Sequence, residues 1–162
     1  MKYLTILCLI ILLSMLFVNC NNEEIDKEKP AINLSIEHAF PVNCDTLYFG
    51  DTLHFRELFT DNAELGSFSI GIHHNFDHHS HSTEVTECSL DPVKKPVNPY
   101  TFIEDYEIPS GLKKYEPNIP ILIPGRNSNG DFDDGDYHFI IRLTDKEGWS
   151  IQKGLSIKML HR

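Results

Sequence analysis

Five of the nine histidines in this 162-residue chain fall in one short run: His73, His74, His78, His79 and His81, with Asp77 among them. Imidazole is the commonest side-chain ligand for zinc and also suits copper and nickel, so the run reads first as a transition-metal site. Ligand type alone does not separate zinc from copper, because selectivity between them rests on geometry. The run begins in Ser67-Phe68-Ser69-Ile70-Gly71-Ile72-His73-His74, which alternates apolar and small residues as a strand does. A strand sends consecutive side chains to opposite faces, so His73 and His74 cannot serve one ion while the strand stays regular. A loop that folds back can bring His78, His79 or His81 beside one of them. Asp77 can supply an oxygen or orient an imidazole through its second nitrogen. His138 is a further candidate, provided that the loop folds over the sheet that carries it. The competing reading is a solvated or pH-responsive histidine loop.

Other chemistry is less well supported. The chain has no H-E-x-x-H, no G-x-S-x-G, no glycine-rich phosphate loop and no C-x-x-C. No catalytic residue is therefore assigned. A metal-dependent hydrolase would need an open coordination position and a base, for which Glu84 and Glu87 are the neighbouring carboxylates. The acidic stretch 129–136 offers Asn129, Asp131 and Asp133 at alternate positions, as a calcium loop does. It lacks the terminal glutamate of an EF-hand and reads more readily as an ordinary acidic turn leading into the tyrosine corner. Cys44 and Cys88 are an even pair, open to a disulfide, to two free thiols, or to Cys88 as a soft ligand near the histidines.

The elements that must position these residues are strands. Short alternating stretches separated by turn residues recur along the chain, with no sustained helical period, which predicts a β-sandwich. Candidate strands are Ile32–Glu37, Thr52–Leu58, Ser67–His74, Thr83–Cys88, Tyr100–Ile108 and Asn118–Ile123, while proline confines 91–99 to loop or edge. Asp133-Asp134-Gly135-Asp136-Tyr137 fits the pattern that opens strand F of immunoglobulin domains, where a tyrosine hydroxyl bonds back to the preceding corner. Tyr137, Phe139, Ile141 and Leu143 then alternate as a core face. A turn over Thr144–Trp149 leads into a last strand, Ser150 to Leu160. The expected architecture is all-β, one immunoglobulin-like sandwich of about seven strands over residues 31–162.

The N-terminus points to export. Lys2 precedes an apolar run to Val18, shorter than the roughly 20 residues that span a bilayer. Leu16-Phe17-Val18-Asn19-Cys20 resembles a lipobox, which makes residues 1–19 a lipoprotein signal peptide and Cys20 the lipidated residue. Residues 20–30 are polar and acidic and end in Pro30, the composition of a tether. Acidic residues just after a lipidated cysteine also resemble the surface-export signal of Bacteroidetes lipoproteins. The expected location is the cell envelope, lipid-anchored to the outer membrane and open to surface exposure. Net charge is −10, with 14 Lys and Arg against 24 Asp and Glu, and no basic stripe favours nucleic acid as a partner.

The stretch from Asp61 to Cys88, with IHHNFDHHSHS at its centre, and the closing GDYHF and TDKEGW together resemble the Bacteroidetes lipoprotein family known as domain of unknown function 4625. That resemblance implies an exported lipoprotein with a sandwich-like domain and a histidine signature, and it implies no reaction. Two function classes follow. One is a non-catalytic metal-binding module, serving an envelope transporter or a surface protein. The other is an adhesion or scaffold domain that docks a protein or glycan, with incidental histidines.

Overall fold

Alternation of apolar and polar residues builds one continuous apolar face across three neighbouring strands. Phe68, Ile70 and Ile72 lie opposite Leu143, Ile141 and Phe139, and Phe139 and Tyr137 in turn lie opposite Leu155 and Ile157. All of these side chains are buried. Burial of such aliphatic and aromatic groups, each contributing about 1.5–3 kcal/mol, is what holds the layer to its partner.

This computed structural model describes residues 26–162; the expected signal sequence, Cys20 and the first part of the tether lie outside the described residues. Twelve strands occur among the described residues, and no helix. They are β1 (Ala31–Asn33), β2 (Thr46–Tyr48), β3 (Thr52–Phe55), β4 (Leu58–Thr60), β5 (Leu65–His74) and β6 (Phe102–Glu107). There follow β7 (Lys114–Tyr115), β8 (Ile119–Leu122), β9 (Arg126–Asn127), β10 (Gly130–Asp131), β11 (Gly135–Asp145) and β12 (Ser150–Leu160). One layer has the order β2-β12-β11-β5-β6, antiparallel except for the parallel pair β2 and β12. The other is formed by β1-β4-β7 and β3-β8.

The second layer is more regular than its fragments suggest. Phe55 opposes Ile119 and, four residues on, Phe59 opposes Tyr115, so the register runs unbroken across the gap. β3 and β4 are thus one interrupted strand, as are β8 and β7, and Arg56 bonds Glu116 across the interruption. Joined in this way the sandwich has a strand number close to that of an immunoglobulin domain. The fold is all-β, and its tyrosine corner is present: the Tyr137 hydroxyl donates to the Asp133 carbonyl at 2.7 Å and accepts from the Tyr100 N–H at 3.2 Å. Phe139 fills the core position that a cysteine takes in antibody domains.

Several local expectations differ from the structure. Thr83–Cys88 forms no strand; only Thr83 pairs, with Gly154 at the edge of β12, and Val85 is 99% exposed. The first strand stops at Asn33, whose side chain turns the backbone by accepting from the Ser35 N–H. The acidic stretch holds the short β9–β10 hairpin. Asp26 and Pro30, in the stretch read as tether, are buried against the domain, where the Trp149 indole N–H donates to the Asp26 carbonyl at 3.0 Å.

Candidate metal centre

β5 and β6 are antiparallel neighbours, a pair that a short turn normally joins. Here residues 75–101 connect them and are laid across the outer face of the five-stranded layer. Three attachments hold this long loop down. The Thr83 N–H donates to the Gly154 carbonyl at 2.9 Å, and the Gly154 N–H donates to the Thr83 hydroxyl at 3.1 Å. Cys44 and Cys88 are joined by a disulfide with Cα atoms 5.3 Å apart. Closing a loop of that size stabilises the fold by about 4 kcal/mol in the chain-entropy model. Beyond the bridge, the Asp91 N–H donates to Asp136, and Lys158 pairs with both carboxylates.

The folded-back loop delivers histidines onto a sheet that already carries two. His73 of β5 and His138 of β11 are direct cross-strand partners on the outer face. Above them the loop places His79 and His81. One ligand atom from each of His73, His79 and His81 lies within 4.8 Å of the others. His73 Nε2 and His81 Nδ1 are 3.1 Å apart. The His79 Nδ1 hydrogen is directed at the Asp77 carboxylate, 2.5 Å away, which leaves His79 Nε2 for the cluster. The His138 ring lies 5.1 Å from His79 and 5.4 Å from both His73 and His81, centroid to centroid. Its Nε2 hydrogen donates to the His79 carbonyl at 2.9 Å, so His138 positions the loop that carries the others.

The other histidines of the run go elsewhere. His74 occupies the opposite face of β5, as strand alternation requires, and packs on Phe76 with centroids 4.9 Å apart. His78 takes a positive φ of 59° at the loop's turn and bonds the Asp91 carbonyl at 2.9 Å. The structure therefore groups His73, His79 and His81, with Asp77 and His138 behind them, and places His74 and His78 apart.

Electrostatics favour neutral rings. Burial, and then the neighbouring rings of His138, His81, His79 and His74, push the His73 pKa down to about 4. Burial likewise lowers that of His138. At neutral pH both rings are uncharged, and an uncharged imidazole has a lone pair to give. Glu84 is engaged by Lys153 at 2.8 Å.

The acidic stretch 129–136 is organised around N–H donors. Asp133 accepts from the Val97 and Asn98 N–H groups, Asp134 from the His161 N–H, and Asp136 from the Asp91 N–H. Its carboxylates thus serve separate partners.

Fold and site together define an immunoglobulin-like β-sandwich with an imidazole cluster built on one face. The chain belongs to the family described as domain of unknown function 4625, whose model matches residues 18–160. No curated protein matches the chain.

Proposed function

We propose that this chain is an exported, lipid-anchored envelope protein whose sandwich binds one transition-metal ion, zinc or copper, without catalysing a reaction. The observation that carries this reading is the convergence of His73, His79 and His81 within 4.8 Å. Two nitrogens on a tetrahedral zinc, each about 2.0–2.1 Å from it, lie about 3.3 Å apart. The 3.1 Å between His73 and His81 is close to that spacing. The carboxylate behind His79 supports the same reading, since ligating histidines commonly donate their second N–H to such a group. The receiving partner on this reading is an envelope transporter or a surface protein.

Calorimetric titration of zinc and of copper(II) into the full-length, tag-free protein tests it. One ion should bind with micromolar or tighter affinity. His73→Ala, His79→Ala and His81→Ala should each weaken binding by about 100-fold or more, and Asp77→Asn by about 10–100-fold. His74→Ala and His78→Ala should change affinity by less than about threefold, the scale of an ordinary context effect. Binding should weaken as pH falls towards about 4, where the His73 ring takes up a proton and loses the lone pair it gives to the ion. Millimolar affinity, or losses spread evenly over the five histidines, would mean that the loop holds no defined site.

The anchor has its own test. Cys20→Ser should abolish incorporation of labelled fatty acid in cells, since that residue would carry the lipid. Undiminished labelling would remove the lipoprotein assignment and leave the metal site untouched.

A further inference from the structure

At the far end of the sandwich from the tyrosine corner, three acidic residues distant in sequence meet. Asp26 comes from the incoming chain, Asp61 from the turn after β4, and Asp145 from the end of β11. One carboxylate oxygen of each lies within 4.8 Å of the others. Each carboxylate uses one oxygen to accept a nitrogen-bound hydrogen. Asp26 Oδ1 accepts from the Glu28 N–H and the Asn62 amide, Asp61 Oδ2 from the Ala63 N–H, and Asp145 Oδ1 from the Trp149 N–H. The remaining oxygens, Asp26 Oδ2, Asp61 Oδ1 and Asp145 Oδ2, are buried and have no donor. Asp145 as a whole is only 5% exposed.

Buried polar atoms are nearly always satisfied, and buried carboxylates are paired or coordinate a metal. Among the described residues no Lys or Arg lies within 4.0 Å of any of the three. The nearby Lys113 spends its ammonium on the Asn62 carbonyl. Three carboxylates thus meet here, each held by its own N–H donor and each keeping one buried oxygen without a donor, and Lys113 reaches Asp26 only as a distant charge.

We propose that Asp26, Asp61 and Asp145 bind a hard divalent cation, calcium. The donor set is all oxygen, which selects against the softer metals suited to the histidine cluster. Oxygens bound to one calcium at 2.3–2.6 Å lie no more than about 5 Å apart, and one oxygen from each aspartate meets that limit. Calcium also accepts irregular coordination filled out by carbonyls and water, whereas magnesium demands a near-ideal octahedron. Because Asp26 belongs to the chain entering the domain, the ion clamps that segment onto the β4–β5 turn and the β11–β12 hairpin. A calcium clamp there fixes how the domain leaves its N-terminal segment, whether or not that segment carries lipid.

Trp149, the chain's one tryptophan, reports on the site directly. Its backbone N–H bonds Asp145 and its indole bonds the Asp26 carbonyl. Calcium titrated into chelator-treated full-length protein should change Trp149 emission saturably, with a dissociation constant at or below about 1 mM. The melting temperature should rise in parallel, and magnesium should bind at least about tenfold more weakly. Asp145→Asn and Asp26→Asn should each abolish both responses, while His73→Ala should keep them. Asp26 lies outside every strand, so its variant keeps the test valid even where Asp145→Asn folds poorly. No saturable change up to about 10 mM calcium, an equal response to magnesium, or responses that survive in both aspartate variants would each overturn the proposal.

Discussion

Gly154→Ala should disable the histidine cluster without touching a histidine. A Cβ at position 154 would sit 1.9 Å from the His81 carbonyl oxygen and 3.0 Å from its carbon, and these atoms are backbone, unable to rotate aside. Either the loop lifts away or β12 distorts. Overpacking of this kind costs about 1–3 kcal/mol in stability. Lifting the loop carries His79 and His81 away from His73, which stays on its strand. Metal affinity should therefore fall by at least about 10–100-fold, the loss usual when support behind a ligand is removed. Gly71→Ala is the matched control. Gly71 and Gly154 flank Ile140 on the same face, yet a Cβ at 71 meets nothing nearer than Ile140 Cβ at 3.9 Å, an ordinary contact. That variant should keep full affinity and, by losing a strand glycine, be as stable as the parent or slightly more so. Titration and denaturant unfolding of the two variants side by side give the result. Equal metal binding by both would show that the loop does not depend on its seat at Gly154.

The contrast between these glycines shows where sequence reasoning stops. The alternation through Ser67–His74 and Tyr137–Leu143 is a local property of the chain. It suffices to put His73 and His74 on opposite faces and to send His138 to the face away from Tyr137. Which loop histidines join His73 is not local. That depends on Gly154 accepting the loop at the edge of β12, and on the Cys44–Cys88 bridge beyond it, contacts made by residues far apart in sequence. The same limit hid the three aspartates, since no spacing rule links 26, 61 and 145. Thr83–Cys88 misled for a related reason. Its alternation resembles a strand's, but the Thr83 backbone pairs with a single glycine, and the residues after it are held through side chains, those of Asn43 and Cys88 among them.

The alternation that builds the core of the second layer also buries an acid. Leu53, Phe55, Glu57 and Phe59 occupy alternate positions of the interrupted strand β3–β4, and all four are buried. Three are apolar, and the fourth is a carboxylic acid in the same core row. Glu57 is 0% exposed, and neither of its side-chain oxygens has a hydrogen-bond partner. Burial, only partly offset by the charge of Lys153, pushes its pKa up from 4.5 to about 8. The folded protein therefore holds a proton on Glu57 at neutral pH that the unfolded chain releases. With the folded pKa above the unfolded one, the stability linked to this group is fully present below pH 4.5 and is lost as pH rises towards 8. At about 1.4 kcal/mol per unit, the loss is roughly 3 kcal/mol by pH 7 and somewhat more by pH 8. Glu57→Met keeps similar bulk and removes the ionisation. It should be more stable than the parent by about 2–4 kcal/mol at pH 8, with the advantage shrinking steadily as pH falls to 4.5. Other groups, His73 among them, lose stability in acid, so the informative quantity is the difference between variant and parent at each pH, measured by denaturant unfolding. A difference that stays constant from pH 4.5 to 8 would mean that Glu57 is charged in the folded state and has found a partner. A difference that grows with pH identifies a neutral acid buried in the core, retained at a cost that the apolar neighbours in its row do not bear.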